Sequence, residues 1–177
     1  MAEARSSCKA RVAGALFLLS ILAGVFAQFV VRGSRLGTAV ELVAALCYLA
    51  VTALFYDLFK PVSRSLCLLA ASFNVVVLTL GQLKWHPHGV DVGLVFFGFY
   101  CLLIGYLIFR STFLPRILGV LMAFGGLAWL TFLSPPFGRY LSPYNLAAGV
   151  LGEGSLCLWL LVMGMNLQRW QVRASRA

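Results

Sequence analysis

The sequence predicts an all-α integral membrane protein: one domain over residues 1–177, a bundle of six transmembrane helices with both termini cytoplasmic. Three observations predict it. Hydrophobic residues make up 62% of the chain and charged residues only 11%, where a soluble domain carries about 25% charged. The apolar residues fall into unbroken runs of about 20, the length that crosses roughly 30 Å of hydrocarbon. The basic residues sit almost entirely between the runs, where positive-inside topology wants them.

The first run covers residues 12–31 and is broken by Arg32-Gly33-Ser34-Arg35. The second covers 36–56 and contains one acid, Glu41. The third, 62–83, ends in Lys84-Trp85-His86-Pro87-His88. The fourth covers 91–109, and Arg110-Ser111-Thr112 separates it from the fifth, 113–133. A loop with three prolines follows, then the sixth run, 145–166, and a basic tail. The runs do not alternate with a period of two, which argues against barrel strands.

The charge balance is +9, from 14 Lys and Arg against 5 Asp and Glu. Ten of the basic residues lie on the side of the termini and four on the other, which predicts cytoplasmic termini. This distribution leaves no basic stripe for nucleic acid, and none is expected as a partner. Val25-Phe26-Ala27 resembles a signal-peptidase site, but the apolar run continues past it, so an uncleaved first span is expected. The five cysteines contain no CxxC pair, so neither a disulfide framework nor a zinc site is read from them.

Two hairpins are alike. Phe59-Lys60-Pro61-Val62-Ser63-Arg64 and Phe113-Leu114-Pro115-Arg116 each place Pro at a helix start, followed by Arg. With ARVAGALFLLSILAGVFAQFVVRG, LFYDLFKPVSRSL, GYLIFRSTFLPRILGVL and LGEGSLCLWLLVMGMN, they carry a resemblance that covers most of the chain. The chain resembles a bacterial family of small multi-span membrane proteins, domain of unknown function family 4386. LIFRSTFLPRILG is the most specific stretch. The resemblance implies a multi-pass protein of the bacterial inner (plasma) membrane and brings no activity. Between its first two spans the chain has only RGSR, where the family has a longer segment.

Polar groups within the runs are costly in lipid and therefore informative. Glu153 leads the candidate ligand-binding residues, with Glu41, Gln28 and Asp91 beside it in one outer layer. The competing reading makes Glu153 a structural acid holding helices together and Asp91 a helix N-terminal acid. Helical spacing puts Asn145, Ala148, Gly149, Gly152, Glu153 and Leu156 on one face. Glu41, Ala44, Ala45, Tyr48 and Thr52 share another, and Ser20, Gly24 and Gln28 a third. These faces are small as well as polar, which favours close helix packing. The tyrosines read as packing residues and interface anchors.

His86 and His88 form a His-Pro-His element that, with a carboxylate, offers metal ligands; an exposed interfacial loop is the plainer reading. There is no phosphate loop, GxSxG elbow, HExxH or dinucleotide fingerprint, so no catalytic residue is assigned and no cofactor is required. The expected function is that of a non-catalytic accessory or binding component in the lipid bilayer, as a homo-oligomer or with a membrane-complex partner. The first alternative is a small transporter or channel with its polar site around Glu153. The second is a metal-dependent membrane enzyme using His86 and His88.

Overall fold

The structure, a computed structural model, describes residues 2–31, 33–83, 87 and 90–175, the side chains of residues 2–8 and Gln28 excepted. The chain forms α1 (Ala2–Phe29), α2 (Arg35–Phe59), α3 (Arg64–Leu83), α4 (Val92–Arg110), α5 (Arg116–Leu130), α6 (Pro135–Tyr140), α7 (Tyr144–Val162) and α8 (Leu167–Ala174). Six of these, α1 to α5 and α7, are long and apolar enough to cross a membrane. The short α6 and the tail helix α8 fall where the sequence suggests loop and tail.

Local chemistry sets the boundaries. Ser34 caps α2, its hydroxyl accepting from the Gly37 amide at 2.9 Å. Asp91 caps α4 in the same way, through Leu94 at 3.1 Å. Such caps satisfy amides that a helix start leaves without partners. Pro115 stands directly before α5, whereas Pro61 lies in the turn ahead of α3, so the two similar hairpins differ in detail. The last span ends earlier than expected, at Val162. Gly164 adopts φ +68° there, and its amide and that of Met163 both return to the Trp159 carbonyl. This left-handed stop suits glycine and turns the chain sharply into α8.

The spanning helices close into a ring. Each packs on its neighbours in chain order, and α7 closes onto α1. Phe17, Val51, Phe55, Tyr100, Ile104, Met122, Leu156 and Leu160 fill the middle. The outward faces carry Leu22, Leu46, Leu68, Phe99, Leu127 and Leu158, all exposed. A soluble protein would not leave such a belt in water; in lipid it is the solvated surface.

The even number of spans brings both chain ends to one end of the ring. Lys9 on α1 pairs with Asp57 on α2 at 2.8 Å. On α8, the Trp170 indole N–H donates to the Leu58 carbonyl at 2.9 Å. We call this the termini end and the opposite one the far end.

Candidate functional site

Packing is uneven around the ring. On the α4–α5 side, glycines face each other in register. A Cβ on Gly98 would lie 2.8 Å from the Gly126 carbonyl oxygen, and one on Gly105 would lie 2.8 Å from that of Gly119. No side chain fits there, so the two backbones touch. Between α5 and α7, Gly152 meets the Leu121 carbonyl and Gly149 meets the Trp129 indole.

On the other side, α1 to α4 leave a cavity of about 550 Å³. Gly33, Gln82 and Asp91 line it at the far end, and Glu41, Ala44 and Ala45 line it from α2. Deeper in, it is lined by Ser20, Tyr48, Asn74 and Phe97. Gln82 and Asn74 share α3, eight residues apart, so the cavity runs about 12 Å into the membrane. Val77, Leu78, Leu80 and Leu94 make the remaining wall apolar. Polar groups at both ends of an apolar pocket suit a small ligand.

Two deep lining residues hold polar atoms without partners. Asn74 is 0% exposed and Tyr48 is 9% exposed. The Asn74 amide N–H donates to the Thr52 hydroxyl. That hydroxyl spends its own proton on the Tyr48 carbonyl, at 2.9 Å. The arrangement fixes the orientation of the amide and leaves Asn74 Oδ1 to accept from another donor. Among the described residues Asn74 Oδ1 has no donor, and the buried hydroxyls of Tyr48 and Tyr100 make no well-formed hydrogen bond, although they lie within reach of each other. Tyr48 and Tyr100 pack edge to face, with ring centroids 6.1 Å apart. Buried polar atoms in proteins are nearly always satisfied, so three together mark an unusual place.

The structure separates the residues singled out in the sequence. Glu41 and Asp91 line the cavity together. Glu153 does not line it; it is 8% exposed and accepts from the Trp129 indole N–H at 3.1 Å, across the α5–α7 contact. Its carboxyl is still within electrostatic reach of Tyr48 and Tyr100. Gly149, one turn before Glu153, leaves the space that the indole occupies. Gln28 belongs to α1, but its side chain lies outside the described residues, as do His86 and His88. No group of three metal-ligating side chains forms among the described residues.

Asn74 and Tyr100 were not singled out from the sequence, and Tyr48 was placed on the polar α2 face with Glu41 but not among the candidate ligand-binding residues. Asn74 had a readable signal, an amide in the middle of an apolar run. Tyr100 had none, because a tyrosine hydroxyl in a span reads equally as an interface anchor.

The ring of spans, the apolar belt and the lipid-depth cavity define a multi-pass membrane protein. The family model "Domain of unknown function (DUF4386)" matches residues 76–164, half of the chain, and the chain belongs to that family. It is also similar to an uncharacterized protein of Archaeoglobus fulgidus, at 29% identity over 128 residues, which span 66% of this chain and 76% of the relative. No solved structure matches. The matched segment holds α4, α5 and α7 whole; Glu41, Tyr48 and Asn74 precede it.

Proposed function

We propose that the protein is a non-catalytic binding component of the membrane. Its ligand is a small amphiphile held in the cavity between α1 and α4. The observation that carries this reading is the 550 Å³ cavity, polar at its far end through Glu41, Gln82 and Asp91 and backed by Asn74, whose buried Oδ1 has no donor among the described residues. A ligand group with an O–H or N–H that parted the wall at Asn74 would satisfy that acceptor. The apolar wall takes the ligand's hydrocarbon part. Ten basic residues against four favour a cytoplasmic termini end, so the cavity would face the outer leaflet of a bacterial inner membrane.

Organic extraction of the protein purified in mild detergent, followed by mass spectrometry, tests the reading. Gly24 and Gly81 line the cavity, and a Cβ on either meets no atom of the described residues within 4 Å. Gly24→Leu/Gly81→Leu therefore fills the cavity without disturbing the ring. The wild type should carry a defined amphiphile with a donor group, and the filled variant should carry at least tenfold less. Equal retention by both, or none by either, would sink the proposal.

Glu153, an ionisable group buried within a span, favours one second reading, transport of the bound molecule. It would be abandoned if proteoliposomes containing the protein moved the extracted amphiphile no faster than empty ones.

A further inference from the structure

The termini end holds a second concavity, unrelated to the first, of about 660 Å³. Lys60 and Arg64, from the α2–α3 turn and the start of α3, line one wall, and Arg169 and Arg173 of α8 line the other. No acid lines it among the described residues.

The α8 wall is built, not a loose tail. Asn166 caps the helix, accepting from the Arg169 amide at 3.1 Å, and its own amide donates to the Phe113 carbonyl at 3.1 Å. Trp170 is pinned to the Leu58 carbonyl, and Leu167 packs beside it on the core. Arg169 also reaches the Thr112 carbonyl, at 3.4 Å. Arg169 and Arg173 are one turn apart and so face the same side.

The bases of this end are not equivalent. Lys60 shares its charge with Asp57, at 3.0 Å. Arg110 lies over the Tyr106 ring and Arg116 over the Phe109 ring, at 5.9 and 5.7 Å. Arg64 and Arg173 make no hydrogen bond or ion pair with any described residue. Snorkelling alone places arginines at a membrane surface, but it does not converge two uncommitted guanidinium groups on one hollow.

We propose that this hollow binds the phosphate of an anionic phospholipid headgroup from the adjoining leaflet. Guanidinium forks match phosphate oxygens two at a time. Exposed Val172 on the lining, and exposed Leu68 and Leu69 on the following turn of α3, offer an apolar path for the acyl chains. That path favours a lipid over free phosphate as the source of the group.

Native mass spectrometry of the full chain in mild detergent tests the site. The probes are dioleoylphosphatidylglycerol, dioleoylphosphatidylcholine and inorganic phosphate, each titrated separately. The wild type should take one phosphatidylglycerol per chain at least tenfold more tightly than phosphatidylcholine. Arg64→Gln/Arg173→Gln should lose that preference, while Arg110→Gln/Arg116→Gln, which removes the same charge from the same end, keeps it. Arg64→Lys/Arg173→Lys retains the charge without the fork and should fall between, so the result does not hang on one variant's folding. Equal loss in both glutamine pairs would overturn the site in favour of generic charge. No preference in the wild type would overturn it outright. Saturation by inorganic phosphate without lipid selectivity would overturn the lipid as the source.

Discussion

The α4–α5 contact and the α1–α4 cavity use the same residue, glycine, for opposite ends. At Gly105 and Gly119 the missing side chain lets two backbones touch, and a Cβ has nowhere to go. At Gly24 and Gly81 a Cβ would meet no described atom within 4 Å. One side of the ring is therefore zipped and the other is hollow. In lipid the hydrophobic effect does not draw helices together, so close backbone packing must supply the cohesion. A small residue stabilises the fold only where a neighbour moves into the space it leaves. On the cavity side the neighbours stay apart, and the space persists.

The sharpest way to break this contrast is Gly119→Leu. Its Cβ alone would lie 2.6 Å from the Gly105 carbonyl oxygen and 2.8 Å from the Phe109 nitrogen. The helices must separate, at a cost of about 3 kcal/mol, the upper end for overpacking. Thermal unfolding in detergent should show a large fall in Tm. An unchanged Tm would mean that α4 and α5 are not zipped as described.

Trp129→Phe comes next. It keeps the ring against Gly149 but removes the N–H that Glu153 accepts. Leaving a buried acceptor short of a donor costs about 1–3 kcal/mol. Glu153→Gln keeps an acceptor for the indole and should cost less. If Glu153→Gln proves the more damaging of the two, Glu153 has a further partner on which the fold depends.

Asn74→Leu probes the hollow side. It deletes the hydrogen bond to Thr52, worth about 0.5–1.5 kcal/mol net. Its larger effect should be on occupancy, with the extracted amphiphile reduced at least tenfold. Full retention would show that Asn74 does not hold the ligand.

Much of this architecture was legible in the sequence. Continuous apolar runs fix six spans because the hydrocarbon core demands a set length. The 3.6-residue period put Asn145, Ala148, Gly149, Gly152, Glu153 and Leu156 on one α7 face, and all but the half-buried Ala148 are buried. It also put Glu41, Ala44, Ala45, Tyr48 and Thr52 together on α2, and all but Thr52 line the cavity. Period reports which residues share a face but not which helix that face meets. So Glu41 and Glu153, both polar-face acids, looked like members of one layer. The closure of the ring sends Glu41 to the α1–α4 cavity and Glu153 to Trp129 on α5. The α8 wall was equally hidden: the tail reads as basic, and only the capped turn at Asn166 folds its arginines back toward Arg64.

The smallest effect is the most discriminating, because its sign differs on the two sides of the ring. Gly24 lies inside α1, where glycine carries a backbone-entropy cost relative to alanine. An added methyl meets no atom of the described residues within 4 Å, so only that cost is relieved. Gly24→Ala should therefore raise stability by about 0.5–1 kcal/mol. At Gly119 the same alanine gains the same propensity term but must push against the Gly105 carbonyl and the Phe109 backbone, so Gly119→Ala should lower stability. Paired thermal unfolding in one detergent reads the two signs directly. If both alanines stabilise, the α4–α5 contact is looser than its geometry; if both destabilise, a neighbour already occupies the space beside Gly24 and the cavity is smaller than described.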